Sequence, residues 1–241
     1  GASAVYEAAP QPDGVFYRGY ASGDDYSLAA LSFFQNEAGG IISISGAKGN
    51  YNLSLNKQNP GIDFENYILY KESDVVDGAI YAPKCQIGAA QENINTTTNI
   101  RLGADNELGL SCKTVSIALY GDYLLYQKNL NSLSGTQNYL TIVFNGVAAL
   151  YQNDGIRVAL KQLNGNTVND FYPTATSTDV LVTFGNEIAT NTTADLMQFV
   201  TGHSILTSGG IEYAPLGGLA WLNVLCTTPF YYQDYDTYVG P

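Results

Sequence analysis

The residues that could carry out chemistry are few in this chain: one histidine, His203, and three cysteines, Cys85, Cys112 and Cys226. A catalytic zinc ion usually has three protein ligands besides its water. His203 could supply one such ligand, and no set of Asp or Glu residues has a spacing that would supply the others. We therefore expect no metal site within this chain, and we expect His203 to be an ordinary histidine in a loop or at the end of a strand.

Other catalytic motifs are also absent. The sequence contains no Gly-x-Ser-x-Gly elbow, no phosphate-binding loop and no Cys-x-x-Cys pair. A Ser/His/Asp triad would have to use His203, and no motif positions one there. The glycine pairs Gly39-Gly40 and Gly209-Gly210 predict turns rather than phosphate cradles.

The three cysteines are too few for a disulfide scaffold, and an odd number leaves one unpaired. Cys112 and Cys226 adjoin predicted strands and could form a disulfide in a secreted chain. Alternatively, Cys226 could pair with a cysteine beyond residue 241. Cys85 lies in a region without periodicity, where a free or buried thiol is one interpretation.

Composition excludes several classes of partner. The formal net charge is −12 with only 10 Lys and Arg, so the chain should repel nucleic acid and anionic membranes. No apolar run approaches the roughly 18 residues of a transmembrane helix. Low lysine content and 19 tyrosines are typical of an extracellular surface, which predicts secretion. Three sequons provide candidate glycosylation sites: Asn52, Asn95 and Asn191.

The first half of the chain has the alternation of a β-rich domain. Residues 1–14 are rich in Ala and Pro and are predicted to be irregular. Residues 15–72 contain short alternating strands separated by Gly, Asn and Asp, which predicts a twisted antiparallel sheet. Residues 73–111 have little periodicity and are predicted to form a linker that contains Cys85.

The second half, residues 112–241, predicts an α/β arrangement. Apolar residues recur at helical spacing over 136–152 between strands at 114–120 and 156–160, which indicates a strand–helix–strand unit. Ser134 and Thr136 are candidate N-caps of this helix, and Gly155 ends it. A further helix from 177 and strands at 196–200 and 218–226 follow. The predicted fold class is α+β, with a β-rich domain before a mixed sheet with two helices.

The order of these segments is similar to that in a known family. The segments are Phe16-Tyr17-Arg18-Gly19-Tyr20, Gly40-Ile41-Ile42-Ser43, Gly49-Asn50-Tyr51, Tyr67-Ile68-Leu69-Tyr70, Pro83-Lys84-Cys85, Asp195-Leu196-Met197-Gln198-Phe199 and Gly218-Leu219-Ala220-Trp221-Leu222. Together they resemble the propeptide and the N-terminal part of the catalytic domain of secreted reprolysin/adamalysin-like (metzincin) zinc metallopeptidases, in a bacterial-type form. The resemblance spans residues 15–235.

The resemblance implies roles for several residues. Residues 15–72 would be the propeptide, and 112–241 a partial metzincin-like domain. Gly218, Leu219, Ala220, Trp221 and Leu222 would form the edge strand of the substrate cleft. Cys85 would be the inhibitory switch, whose thiolate occupies a zinc position, although Gln86 stands where the family usually has Gly. The activity needs a His-Glu-x-x-His helix, which is absent here, so zinc is expected only if that helix follows Pro241.

Two functions follow. The first is the N-terminal portion of a metallopeptidase zymogen, not catalytic by itself, whose partner is the remainder of the catalytic domain. The alternative is a non-catalytic extracellular structural or self-assembling subunit of filament type, derived from this family, whose partners are copies of itself. The missing zinc motif, the low charge and the expected open sheet edge favour the alternative.

Overall fold

The computed structural model describes residues 6–9, 11–46, 49–57, 67–71, 74, 114–169, 177–188, 193–203 and 220. Its elements in chain order are β1 (Tyr6–Ala9), β2 (Gly14–Gly19), β3 (Leu28–Phe34), β4 (Ala38–Ser43), β5 (Tyr51–Leu55), β6 (Tyr67–Lys71), β7 (Thr114–Gly121), α1 (Tyr123–Lys128), α2 (Leu133–Asn153), β8 (Arg157–Asn166), α3 (Ser177–Ile188) and β9 (Leu196–Val200). The predicted mixed α+β class is confirmed. All of these elements except α3 belong mainly to one compact unit, and α3 belongs to a second.

Five strands form an antiparallel sheet in sequence order, β2-β3-β4-β5-β6, which we call the meander sheet. Each strand joins its neighbour in sequence, as local hairpin connections favour. Close approach of two backbones explains one glycine: a Cβ at Gly40 would lie 2.1 Å from the carbonyl oxygen of Ala30.

The second sheet, which we call the mixed sheet, has the strand order β1-β8-β7-β9. Strand β9 pairs in parallel with β7, and β1 pairs antiparallel with β8. A Cβ at Gly121 or at Gly165, which lie at the ends of β7 and β8, would contact Thr136 in the first turn of α2. Both strands therefore end beside the start of α2, so β7, α2 and β8 form the predicted strand–helix–strand unit.

Helix α2 has a cap at each end. The side chain of Ser132 accepts the backbone N–H of Gly135 at 3.1 Å and caps the start. The prediction of Ser134 or Thr136 as the N-cap was wrong: both lie inside the first turn, and the Thr136 hydroxyl donates to the Ser132 carbonyl. Gly155, with φ of 73°, follows the last residues as predicted.

Helix α2 is the layer between the two sheets. Leu140, Phe144 and Ala148 pack with Leu119 of β7 and Leu163 of β8 in one hydrophobic cluster. On another side of the helix, Ala149 packs with residues of the meander sheet in a smaller cluster, which contains Leu28, Ala30 and Ile41. Residue 72 lies between the meander sheet and most of the mixed sheet, although β1 of the mixed sheet precedes it, and α2 packs against both sheets.

Four local features differ from the sequence-based expectation. The predicted turn at Gly39-Gly40 was wrong, because both glycines lie within β4 and pair with β3. Strand β1 lies within residues 1–14, which were predicted to be irregular; its sequence has no strand pattern, and pairing with the edge of β8 makes it extended. Helix α1 is too short to give a periodic signal. Strand β8 continues to Asn166, beyond the predicted 156–160, through a polar stretch that is buried in the sheet. The predicted linker and the strand at 218–226 lie outside the described residues, apart from Asp74 and Ala220.

Candidate functional site

The most concentrated polar site in the described residues lies where the parallel strands β7 and β9 end. Asp122 follows β7 directly, and its side chain is the N-cap of α1. The residue is completely buried. A buried carboxylate needs several donors around it to offset lost hydration, so its partners define the site.

Asp122 has partners on both α1 and the segment that follows β9. Its Oδ1 accepts the backbone N–H of Leu125 at 2.7 Å and that of Gly202 at 3.0 Å. Its Oδ2 accepts the hydroxyl of Thr201. Its own N–H donates to the carbonyl of Val200 at 3.3 Å. One carboxylate therefore joins the end of β9 to the start of α1.

Gly202 is held close to α1 by this arrangement. A Cβ at this position would lie 2.7 Å from the backbone nitrogen of Leu125 and 2.8 Å from the carbonyl carbon of Leu124. The ammonium of Lys128, in the last turn of α1, donates to the Gly202 carbonyl. Position 202 therefore has a structural reason to be glycine, because only glycine fits there against the first turn of α1.

His203 lies beside this carboxylate but does not form a catalytic pair with it. Its Nε2 is 3.9 Å from Oδ2 of Asp122, which is longer than a hydrogen bond. The backbone N–H of His203 donates to the Thr201 hydroxyl at 3.0 Å. Because that hydroxyl itself donates to Asp122, it is not directed at the imidazole. A nucleophile–base–carboxylate triad is not assembled here.

The opposite ends of β7 and β9 are joined by a second carboxylate. Asp195 Oδ2 accepts the hydroxyl of Ser116 at 2.6 Å and its backbone N–H at 2.8 Å. The Asp195 N–H donates back to the Ser116 hydroxyl at 3.0 Å. The side-chain and then the backbone hydrogen bond from Ser116 lower the pKa of Asp195 below its ordinary value of 3.8. The Asp-Leu-Met-Gln-Phe-Val-Thr-Gly segment therefore fixes the strand pair at both ends.

A polar contact surface joins α2 to the meander sheet. Asn145, which is almost fully buried, accepts the Arg18 Nε–H at 2.7 Å and donates to the Leu31 carbonyl and the Ser32 hydroxyl, each at 3.1 Å. Desolvation lowers the pKa of Arg18 below its ordinary value. This surface is polar at its centre, unlike the Leu140 side of the same helix.

A second group of polar contacts continues this surface. Glu37 forms a 2.9 Å ion pair with Lys57. The Asn138 side chain donates to Glu37 at 3.3 Å, and Lys57 also donates to Asn129 at 2.5 Å. Glu37 is mostly buried, so Lys57 and Asn138 supply the partners that it loses from water.

Most of the residues that sequence reasoning singled out lie outside the described part of the chain. These are Cys85, Cys112, Cys226, Asn95, Asn191, Gly218, Leu219, Trp221 and Leu222. Ala220 is a half-buried residue in a single bridge. Asn52 lies in β5, opposite Ile41 of β4 and Tyr70 of β6. Their predicted roles remain predictions.

The donor set of the chain does not fit a catalytic zinc site. There is a single histidine in the sequence, and within the described ranges no three His, Cys, Asp or Glu side chains are grouped so that they could hold a metal ion. None of the described helices is both long and apolar enough to cross a membrane. No protein-family model matches the sequence.

Sequence reasoning missed the Asp122 site. A local signal exists, because Asp before Tyr-Leu-Leu-Tyr is a standard N-cap pattern. The partners of Asp122 in the segment after β9 lie about eighty positions along the chain, and no local pattern links them to Asp122.

Proposed function

We propose that this chain is the N-terminal portion of a secreted zinc metallopeptidase zymogen, not catalytic by itself. In this proposal residues 15–72, which contain the meander sheet apart from Gly14, are the propeptide, and β1 precedes it. The elements from β7 to β9 begin a metzincin-like domain whose remainder, with the zinc ligands, is not part of these 241 residues. Cys85 keeps its predicted role as the inhibitory thiol.

The observation that carries this proposal is how the N-terminal residues cover the α/β elements. Strand β1 occupies the edge of the mixed sheet beside β8, and the meander sheet lies on the side of α2 turned away from β7 and β8. A segment that covers another by edge pairing and by face packing is suited to act as an intramolecular inhibitor.

The polarity of the α2 surface under the meander sheet supports the proposal that the propeptide can separate from the metzincin-like part. The α2 face toward the meander sheet carries Asn138 and Asn145, whose hydrogen bonds water can replace. The opposite face carries Leu140 and Phe144, which pack against the mixed sheet. Interfaces between separable parts are more polar than permanent cores. If the meander sheet were removed, the side of α2 that it covers would be polar enough to be hydrated.

The order of segments also agrees with the resemblance. The segment quoted from Asp195 to Phe199 runs along β7, with Leu196 to Val200 paired in parallel with Ile117 to Gly121. This pairing concerns the fold alone. The proposed peptidase activity rests on the resemblance.

The test uses the complete gene product. A cleavage site for a specific protease is inserted between residues 72 and 114, and peptide hydrolysis is measured before and after cutting. The proposal expects activity that appears on cutting and is lost with a chelator. Cys85→Ser should raise the activity of the uncut protein, whereas Cys112→Ser, the matched control, should not. A complete product that stays inactive after cutting and removal of the N-terminal part would refute the proposal.

The alternative, a structural subunit that assembles with copies of itself, is favoured by one observation: a broad apolar face of the meander sheet is open to solvent. If it is correct, the complete product should form ordered assemblies visible by negative-stain microscopy and should have no peptidase activity after cutting.

A further inference from the structure

The two faces of the meander sheet have different surroundings. The inner face of the sheet is marked by residues that contact α2 or pack toward it, namely Arg18, Ala30, Ser32 and Ile41. Side chains alternate between the two faces along each strand, so the register of the four strand pairs gives the residues of the outer face. The outer face consists of Val15, Tyr17, Gly19, Ala29, Leu31, Phe33, Ala38, Gly40, Ile42, Tyr51, Leu53, Leu55, Tyr67, Leu69 and Lys71.

The outer face is apolar and open to solvent. Four of its large side chains are exposed: Val15 by 54%, Tyr17 by 59%, Phe33 by 40% and Leu69 by 58%. Lys71 is the one charged residue among the outer positions of the described strands, and its ammonium lies 5.7 Å from the centre of the Tyr51 ring. Such a face is more apolar than an antiparallel sheet presents when water is its only neighbour.

The size of this face suits an interface. Taking about 200 Å² for a fully exposed large side chain, the four exposed residues alone present roughly 400 Å². That is about half of the 800 Å² or so that each partner contributes to a standard interface. The half-buried residues of the same face, such as Leu31 and Ile42, adjoin them.

Small and large residues alternate across the middle of this face. The register sets Ala29, Gly40 and Ala38 opposite Ile42, Leu31 and Phe33 on the neighbouring strand, and Tyr17 adjoins Phe33 at 5.9 Å between ring centres. Projections and recesses on the same surface allow two copies to pack about a two-fold axis, with the projections of each in the recesses of the other.

We propose that the outer face of the meander sheet is a homodimer interface, in which two copies of this chain pack face to face. Each copy has a net charge of −12, and the face that they would share carries no acidic residue among its described positions, so association does not bring carboxylates together. The chain's own C-terminal tail is a poorer occupant, because burying Asp234 and Asp236 of that tail against apolar side chains would remove their hydration.

The test is sedimentation velocity on the complete chain from about 1 to about 100 µM, a range that brackets weak association. A concentration-dependent monomer–dimer equilibrium is expected. Tyr17→Lys and Leu69→Lys should each weaken it about tenfold or more. Tyr26→Lys and Leu150→Lys change exposed residues that are not part of this face and should leave the equilibrium unchanged. Thermal unfolding checks that all four variants are folded.

A second measurement identifies the occupant directly. A photo-crosslinking amino acid is placed at position 17, and the linked peptides are identified by mass spectrometry. Links between two copies through residues 14–71 support the dimer. Three results would each overturn the proposal. The chain could be strictly monomeric, the dimerisation equilibrium could be unchanged by Tyr17→Lys and Leu69→Lys, or the crosslinks could join position 17 to residues 204–241 of the same chain. Dimerisation is measured without peptidase activity, so its failure is independent of the proposed zymogen.

Discussion

The carboxylate of Asp122 accepts the backbone N–H of Gly202 at 3.0 Å across 80 positions of sequence. The same carboxylate caps α1 through Leu125. A single buried carboxylate thereby fixes the end of β9 against the start of α1. This junction lies at the carboxyl ends of the parallel strands β7 and β9, where loops follow the strands. The stability of this junction should depend strongly on the charge of Asp122.

Asp122→Asn tests this dependence. The amide has nearly the same shape, and its oxygen can still accept the backbone N–H groups of Leu125 and Gly202, but its NH₂ group replaces Oδ2 and cannot accept the Thr201 hydroxyl. We expect a loss of about 1–3 kcal/mol in the free energy of unfolding, measured by urea titration, because a buried donor is left unpaired. Asp154→Asn, at the C-cap of α2, is the control and should change stability by less than about 0.5 kcal/mol. Equal effects of the two variants would contradict the assigned role.

Gly202→Ala tests the close approach to α1. The added methyl group would meet backbone atoms of Leu124 and Leu125 at less than 3 Å, so the loop must shift, at a cost of about 1–3 kcal/mol. The matched variant is Gly146→Ala inside α2, where the nearest atom is Ile41 Cγ2 at 3.4 Å. There alanine should be neutral or should stabilise by up to about 1 kcal/mol through helix propensity. Thermal unfolding of both variants measures the two changes in stability. A Gly202→Ala variant as stable as the parent would show that the close approach to α1 does not require glycine.

Asn145 and Arg18 should be energetically coupled. They form the 2.7 Å hydrogen bond at the centre of the surface between α2 and the meander sheet. A double-mutant cycle with Asn145→Ala and Arg18→Ala is expected to give a coupling energy of about 0.5–3 kcal/mol. Arg157→Ala in place of Arg18→Ala provides the control pair. If the Arg18 cycle is additive within error, this hydrogen bond does not hold the two parts together.

Acid should weaken the junction of β7 and β9. Because hydrogen bonds from Ser116 lower the pKa of Asp195 below 3.8, the folded chain holds the proton more weakly than the unfolded chain. The resulting stabilisation is present above pH 3.8 and is lost as the pH falls through the folded pKa. Ser116→Ala removes the hydroxyl donor, so the pKa of Asp195 should rise toward its ordinary value. A carbon-detected NMR titration of Asp195 measures this, and an unchanged pKa would show that the hydroxyl has no effect.

The sequence predicted the elements whose hydrophobic pattern is local. Strand β9 coincides with the predicted 196–200, and the helical repeat of Leu140 and Phe144 located α2. The prediction failed where partners are distant in sequence. Strand β1 exists because β8 offers an edge, and the start of α2 was misplaced because Ser132, Ser134 and Thr136 all have a capping side chain.

The candidate site was less predictable than the fold. The segment from Asp195 to Phe199 was identified only through the resemblance. The physical roles of Asp195 and of Gly202 follow from their hydrogen bonds to Ser116 and Asp122, which lie 79 and 80 positions away. The outer face of the meander sheet likewise appears only with the strand register, since Tyr17, Leu31, Leu53 and Leu69 come from four separate strands.

The proposal that this chain is the N-terminal portion of a metallopeptidase zymogen is tested most directly by the sequence of its gene combined with the intact mass of the native precursor. If it is correct, the natural polypeptide continues past Pro241 and contains His-Glu-x-x-His with a third histidine beyond it. A natural polypeptide that ends at Pro241 would refute the proposal.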